Sequence, residues 1–564
     1  MQAKTNQSAL FTLTTVFFFW GFIAAGNSVF IPFCKNYFNL DQFQSQLIDF
    51  AFYLAYYLGA LSLFAFGSST GKDLVGNWGY KKSIVYGLSF SALGALAMII
   101  SVYLNVFSGM LFGLFIVALG FSLQQTSANP FMIALGDEAT GSNRINLGGG
   151  INSLGTTVGP LIVALALFGT ASAISDEMIA SLELFQVIVL YACVGALFLG
   201  VAILFSVSKK LPSGISDEKP EKAKKALVTL LVMTGLLIAC FSPVFGSYLS
   251  EEQKQIEVLQ SEIKTLNVEN SELAIFELNA QIEELSGPLD KKRMIWLSAG
   301  LLVILGGLLF AHFKGKSQKV HWGAMQYPQL TLGMLAIFVY VGVEVAIGSN
   351  LGELLKKDSF GGYGSSQIAP FIAMFWGSLM IGRWAGSINA FDLSSKMKNI
   401  LRFFVPLAAF FIILGLTAAS GYDVSPLYWY IICVLIQIMA FFITNDKPAV
   451  TLGVFGILGV ASIVVGLMTS GTIAIYSFLS AGLFLSIMWP CIFSLSIAGL
   501  GKYQTQGSAF LVMMILGGAI IPPIQGKIAD VIGIQQSFFV GILCFAYLTF
   551  FAWFVKNKTS FGKS

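Results

Sequence analysis

Gln124-Gln125-Thr126-Ser127-Ala128-Asn129-Pro130, followed by Asn152-Ser153-Leu154-Gly155 and then Pro160, decides the reading of this chain. A second stretch repeats its grammar: Ser486-Ile487-Met488-Trp489-Pro490, then Ile515-Leu516-Gly517-Gly518 and Pro522-Pro523. In each, a proline interrupts a long apolar segment, a short loop follows, and a glycine-rich apolar segment reaches another proline 30 or 32 residues later. Pro130 and Pro490 stand 360 residues apart, so the chain reads as internally duplicated. Duplicated halves whose matching hydrophobic helices are broken by Pro and Gly point to a secondary transporter, with the solute site near the bilayer midplane between the halves.

Working outward, the whole composition agrees. Of 564 residues, 56% are hydrophobic and 11% charged, against the roughly one quarter charged content of a soluble domain. The first apolar run, 9–34, is too long for a signal-peptide core and is preceded by a single lysine, so it reads as a retained first span. Six cysteines, Cys34, Cys193, Cys240, Cys433, Cys491 and Cys544, fall singly in or beside apolar runs, with no metal-ligand spacing. Neither a metal site nor a cofactor is expected, apart from a coupling ion. No phosphate-binding loop, dinucleotide fingerprint or zinc-protease motif occurs, so energy must come from an ion gradient or from the solute's own.

Apolar runs long enough to cross a bilayer number sixteen, or fourteen if 400–444 forms one re-entrant unit. With the N-terminus cytoplasmic, the loops bearing Lys72, Lys81 and Lys82, then Lys314, Lys316 and Lys319, then Lys396, Lys398 and Arg402, all fall on the inner side, as does the C-terminal tail. Lys291-Lys292-Arg293 is a local conflict, because this topology puts it outside. The stretch 247–293 holds ten acidic and five basic residues, with Ile256, Leu259, Ile263, Leu266 and then Ile275, Leu278, Ile282, Leu285 at heptad spacing. The phase slip around Asn267–Ser271 predicts an antiparallel hairpin of two short helices outside the membrane, a solvated spacer or a dock for a periplasmic partner.

Phe18-Phe19-Trp20-Gly21-Phe22, Gly79-Tyr80-Lys81-Lys82, Arg144-Ile145-Asn146-Leu147, Asn152-Ser153-Leu154-Gly155-Thr156-Thr157, Phe338 to Val345 and Phe493-Ser494-Leu495 resemble the fucose/glucose/galactose proton symporter family of the major facilitator superfamily. The resemblance implies an all-α polytopic fold of two six-helix bundles, 1–207 and 331–564, around a central cavity with alternating access. It also marks two inserted transmembrane pairs. One, 226–246 with 294–313, lies in the linking region 208–330 and carries the hairpin 247–293; the other falls at about 400–446. Each pair adds an even number of crossings, so the sidedness downstream survives.

Ionisable side chains inside spans are costly and are functional candidates by default. Glu344, mid-span among Gly342, Ala346 and Gly348, is read as a sugar hydroxyl acceptor, as the protonatable coupling group, or as a structural partner of a neighbouring helix. Asp49 could supply a carboxylate for coupling that the resemblance places at Ser28, which has none. Arg383 reads as a latch or headgroup anchor, and Asp73, Lys81 and Lys82 resemble the loop charges of the superfamily that clamp one conformation. Asn27, Gln124, Gln125, Asn129 and Asn152 offer the paired donors and acceptors that sugar hydroxyls need, and Trp489 offers a flat ring. Gln125 stands where the proton-coupled fucose branch has a glutamate, and Gly149 where the family usually has a glutamine.

The leading expectation is therefore a carrier of a hexose such as glucose, galactose or fucose, coupled to protons or sodium, in a bacterial inner membrane with both termini cytoplasmic. A uniporter, a carrier of another polar solute, and a non-transporting sensor or assembly protein are the alternatives. An enzyme and a nucleic-acid binder are not expected.

Overall fold

The computed structural model describes residues 5–38, 42–169, 183–215, 222–266 and 272–558, helical throughout apart from their connections. The first six long helices are α1 (Gln7–Tyr37), α2 (Gln42–Thr70), α3 (Tyr80–Tyr103), α4 (Phe107–Ala134), α5 (Gly141–Phe168) and α6 (Leu184–Val207). Then come α7 (Lys224–Tyr248), α8 (Glu251–Thr265) and α9 (Glu272–Gln318). The remainder comprises α10 (Pro328–Leu355), α11 (Ser365–Gly386), α12 (Ser395–Ala419), α13 (Ile431–Thr444), α14 (Pro448–Met468), α15 (Gly471–Leu485), α16 (Met488–Ile497), α17 (Gln504–Met513), α18 (Gly517–Ile532) and α19 (Phe539–Lys558).

Among the described residues, fourteen helical segments are long and apolar enough to cross a bilayer. Two more join them. One is α1, apolar over Gln7–Ile23, and the other is α5, whose 28 residues are diluted by Gly, Ser, Asn and Thr. Among the described residues, the count with these two is sixteen. The 400–444 region holds two separate crossings: α12 has 25 residues and the segment Ser425–Thr444 has 20. At 1.5 Å per residue each reaches about 30 Å or more, the thickness of the hydrocarbon core. This is a multi-pass membrane protein.

In the first half α1 lies along α5, α2 along α4, and α3 against both α4 and α6. The second half mirrors this with α10 against α18, α16 and α19, and α14 against α19 and α15. The halves meet where α5 packs on α11 and α16, and where α17 packs on α2 and α4. Close approach explains Gly21: a Cβ there would lie 1.9 Å from the Asn152 carbonyl oxygen, so only glycine lets α1 and α5 touch backbone to backbone.

The inserted pairs sit outside this core. α12 and α13 lean on α11, α14 and α15, and are tied down by Arg402, which pairs with Asp446 in the turn before α14. The other pair, α7 and α9, carries the hairpin. Its first arm is the 15-residue α8, with Ile256 buried on the side facing α9. The second arm departs from expectation: α9 runs 47 residues without a break, about 70 Å, from the hairpin through its membrane crossing. The expected turn at 267–271 lies outside the described residues. Of the conflicting charges Lys291, Lys292 and Arg293, the structure accounts for Arg293 and leaves the two lysines exposed. Arg293 is buried at the hairpin base, where it donates to Ser247 Oγ (2.8 Å) and Gln253 Oε1 (2.8 Å), pairs with Asp290, and stacks 3.7 Å over the Tyr248 ring. A fully partnered arginine at that depth serves the hairpin's geometry, whatever the charge bias of the loops.

Candidate functional site

Proline supplies the first site-building step. Pro130 has no amide proton, so Thr126 O, four residues back in α4, loses its helical donor. Ser508 Oγ, from α17 in the other half, donates to it at 2.7 Å. Pro490 does the same to Ser486 O, and that carbonyl receives Arg383 Nε–H at 3.1 Å. The two halves thus repeat one device: a proline frees a carbonyl, and a side chain from another helix takes it.

Arg383 is the hub of a polar cluster between the halves. From α11 it also donates to Ser153 Oγ (2.8 Å) and reaches Gly149 O (3.5 Å) on α5, and to Tyr340 Oη (3.1 Å) on α10. Its guanidinium lies 3.9 Å from Glu344 Oε2. Tyr340 and Glu344 are four residues apart and share one face of α10. The Tyr340 ring lies 6.3 Å from that of Trp489, which stacks on Phe493. One guanidinium therefore joins α5 of the first half to α10, α11 and the α15–α16 break of the second. Among the described residues, Glu344 Oε2 has no hydrogen-bond partner, nor does Asn129 Oδ1. Each is a buried acceptor with capacity left over.

The other sequence-chosen residues fall elsewhere. Gln124 is fully buried inside the first half, accepting from Trp20 Nε1 (2.9 Å) and donating to Ser91 Oγ (3.1 Å), so it ties α1, α3 and α4 together. Half-buried Gln125 donates to Tyr56 Oη (3.0 Å), and Asn129 donates to Gln125 O (3.0 Å). Asn152 donates to Phe17 O (3.2 Å) across the α1–α5 seam, next to Ser153 and so next to the Arg383 cluster. The side chains of Asn27 and Asp49 lie outside the described residues. Lys81 donates to Ser208 O (2.8 Å), capping the end of α6 within the first half, and Lys82 is exposed.

Asp73 lines a small crevice between the halves with Thr126, Thr505 and Gln506. Burial raises its carboxyl above the ordinary value; the Gly76 amide and Thr505 hydroxyl beside it oppose the rise. Further bonds join the halves at this same end: Asn143 Nδ2 to Gly386 O (2.7 Å), Trp384 Nε1 to Gly150 O (3.1 Å) and Gln7 Nε2 to Ala390 O (3.0 Å). These bonds close the halves on each other at the end bearing the lysine-rich loops, where a cavity of about 660 Å³ lined by Ile133, Glu138, Lys447, Ser494 and Gln504 remains beside them.

Sequence reasoning passed over Tyr340, Ser153, Ser486 and Ser508 as individual candidates. Two of them carried a signal: Ser486 is the residue four before Pro490, and Tyr340 the residue four before Glu344. Nothing local marks Ser508, whose partner is 382 residues away.

Over 99% of this chain and 100% of the compared one, the backbone follows a crystal structure of a variant of the Escherichia coli fucose:proton symporter, at a TM-score of 0.61 and 20% identity. The chain has the fold of the major facilitator superfamily. A human organic anion transporter of that superfamily aligns over 97% of this chain and 99% of its own, with a TM-score of 0.52 and 12% identity. Among curated proteins, the chain is 28% identical over 548 residues to a glucose/galactose transporter of Brucella abortus, covering 97% of this chain and 94% of the relative. It is 23% identical to the L-fucose-proton symporter of Escherichia coli strain K12, covering 97% and 93%. No family model matches the chain. The motif resemblance and the likeness to these relatives agree, and both extend across the two halves of the major facilitator fold.

Proposed function

We propose that the chain is a secondary active transporter of a monosaccharide, a hexose of the glucose, galactose or fucose kind, working by alternating access and coupled to protons at Glu344. The observation that carries the reading is the Arg383 cluster: a carboxylate with a free acceptor oxygen, 3.9 Å from a guanidinium that also holds α5, where the halves meet. The names of the relatives support the solute class. Trp489 and Tyr340 supply aromatic faces for a pyranose ring, and Asn152 and Gln125, both half-buried, supply amides for its hydroxyls.

The coupling follows from charge. With Glu344 ionised, its charge draws Arg383 Nη2 toward α10 against the hold of Nη1 on Ser153 and Gly149 of α5; with Glu344 protonated, that pull ends and Arg383 is left to α5. Protonation thus strengthens the closed contact between the halves, and its loss loosens it. Asp73 belongs to the same end as a conformational group, and Lys81 ties the loop beside it to the end of α6 while Lys82 adds its charge there. The chain is oriented with both termini and the lysine-rich loops in the cytoplasm of a bacterial inner membrane, which puts the hairpin in the periplasm.

Uptake of labelled hexoses into proteoliposomes, with and without a pH gradient, tests this. Glu344→Gln should keep sugar counterflow while abolishing gradient-driven accumulation. Accumulation at the wild-type level in that variant removes Glu344 from coupling, and the absence of uptake of any hexose by the wild type removes the sugar reading.

A further inference from the structure

The α7–α9 pair belongs to neither six-helix bundle, yet it grips both. On one side α7 holds α2 of the first half. Thr234 Oγ1 lies 2.9 Å from Tyr57 Oη, and the Phe245 ring stands 4.7 Å from that of Phe50. On the other side α9 holds the second half, through His312 Nδ1 at 2.9 Å from Thr331 Oγ1 on α10, and through Asp290, whose carboxylate meets Lys527 Nζ of α18 at 2.8 Å. Between themselves α7 and α9 pack along their lengths, and Arg293 binds α7, α8 and α9 at the hairpin base.

Where these grips fall matters. α2 and α18 touch directly at Tyr53 and Gly518, where a Cβ on the glycine would lie 2.8 Å from the tyrosine ring. Toward the hairpin end Phe50 turns to α7 instead, and Lys527 turns to Asp290. The Phe50–Phe245 and Asp290–Lys527 grips therefore span the seam at the end opposite to the closed, lysine-rich one, while His312 and Thr331 meet near the lysine-rich end itself.

We infer that the α7–α9 pair is a built-in strap across the moving seam, latched by Asp290 and Lys527, which holds the chain in the state closed at its lysine-rich end. The inference rests on the two halves moving against each other, as the transport reading requires. Opening the lysine-rich end brings the hairpin ends of α2 and α18 together, and that rearranges a strap fixed to both. The latch side chains are about a quarter exposed, 28% and 26%, so the ion pair keeps solvent screening and biases the equilibrium modestly.

The test reads conformation, not transport. Ala509, buried in the crevice at the closed end, is replaced by cysteine, and its labelling by a membrane-permeant maleimide is measured in membrane vesicles against the same protein with alanine kept there. Adding Lys527→Gln should raise the Ala509→Cys labelling rate about fivefold, the effect of an ion pair at the upper end of the exposed range. Lys527→Arg should restore the slow rate, which a merely unstable variant would not do. Equal rates in all three overturn the strap; hexose uptake, measured separately on the same vesicles, then still decides the transport reading.

Discussion

Gly149 lies flat against Arg383: a Cβ on the glycine would stand 3.2 Å from Arg383 Cδ and 3.5 Å from its Nε. The missing side chain is the space the guanidinium stem occupies on its way to Ser153. Gly149→Gln should therefore expel Arg383 from α5, break the contact between the halves, and lower hexose accumulation at least tenfold, while Gly149→Ala, needing a shift of a few tenths of an ångström, should lose little. Uptake rates in vesicles containing equal amounts of each variant check this.

Ser508 and Pro130 form a second junction. Ser508→Ala removes the donor to Thr126 O, a neutral hydrogen bond worth about 1 kcal/mol, and should open the lysine-rich end about fivefold more often. Pro130→Ala gives Thr126 O its helical amide back, so the cost of Ser508→Ala should shrink in that background. A double-mutant cycle read by cysteine labelling at Ala509 measures the difference.

Arg144 is fully buried and donates to Met132 O (2.7 Å), Ile133 O (2.6 Å) and Asp137 O (2.7 Å), so it caps the last carbonyls of α4. A cation there also complements the negative end of the helix. Arg144→Met should destabilise the protein by about 3 kcal/mol or more, because buried carbonyls lose their donors. Lysine, without the planar fork, should recover less than half of the loss. Thermal unfolding in detergent gives the ranking.

Asp73 sets a pH dependence whose sign follows from its environment. Burial raises its carboxyl in the closed state, so that state binds the proton more tightly than one in which Asp73 is solvated. The closed state should gain population as pH falls through the window between the raised value and the ordinary one near ~4, and lose it as pH rises. Asp73→Asn should remove this component; a pH profile of Ala509→Cys labelling that keeps its slope in the variant would exclude it.

Much of the fold was readable beforehand for a physical reason: a bilayer permits few spanning structures, so apolar run lengths gave the crossings and Pro and Gly positions gave the breaks. The α5 crossing was read as one of the apolar runs, in the segment that repeats in the second half, although its Gly, Asn and Ser content dilutes its apolarity. The second hairpin arm was misjudged in length, since heptad and membrane-span patterns join smoothly in α9 and no residue marks a boundary.

Side-chain roles were another matter. Gln124 and Asn129 share a segment and a chemistry, yet Gln124 has both ends of its amide occupied by Trp20 and Ser91 whereas Asn129 keeps a free oxygen. Sequence by itself determined the apolar runs, sixteen crossings or fourteen, their duplication and the freed carbonyls behind Pro130 and Pro490, because those follow from backbone chemistry and local composition. Only the tertiary structure decided that Ser508 and Arg383 take those carbonyls, and that Glu344 answers to a guanidinium shared with α5. Such pairings join residues hundreds of positions apart, and the packing of whole helices selects them.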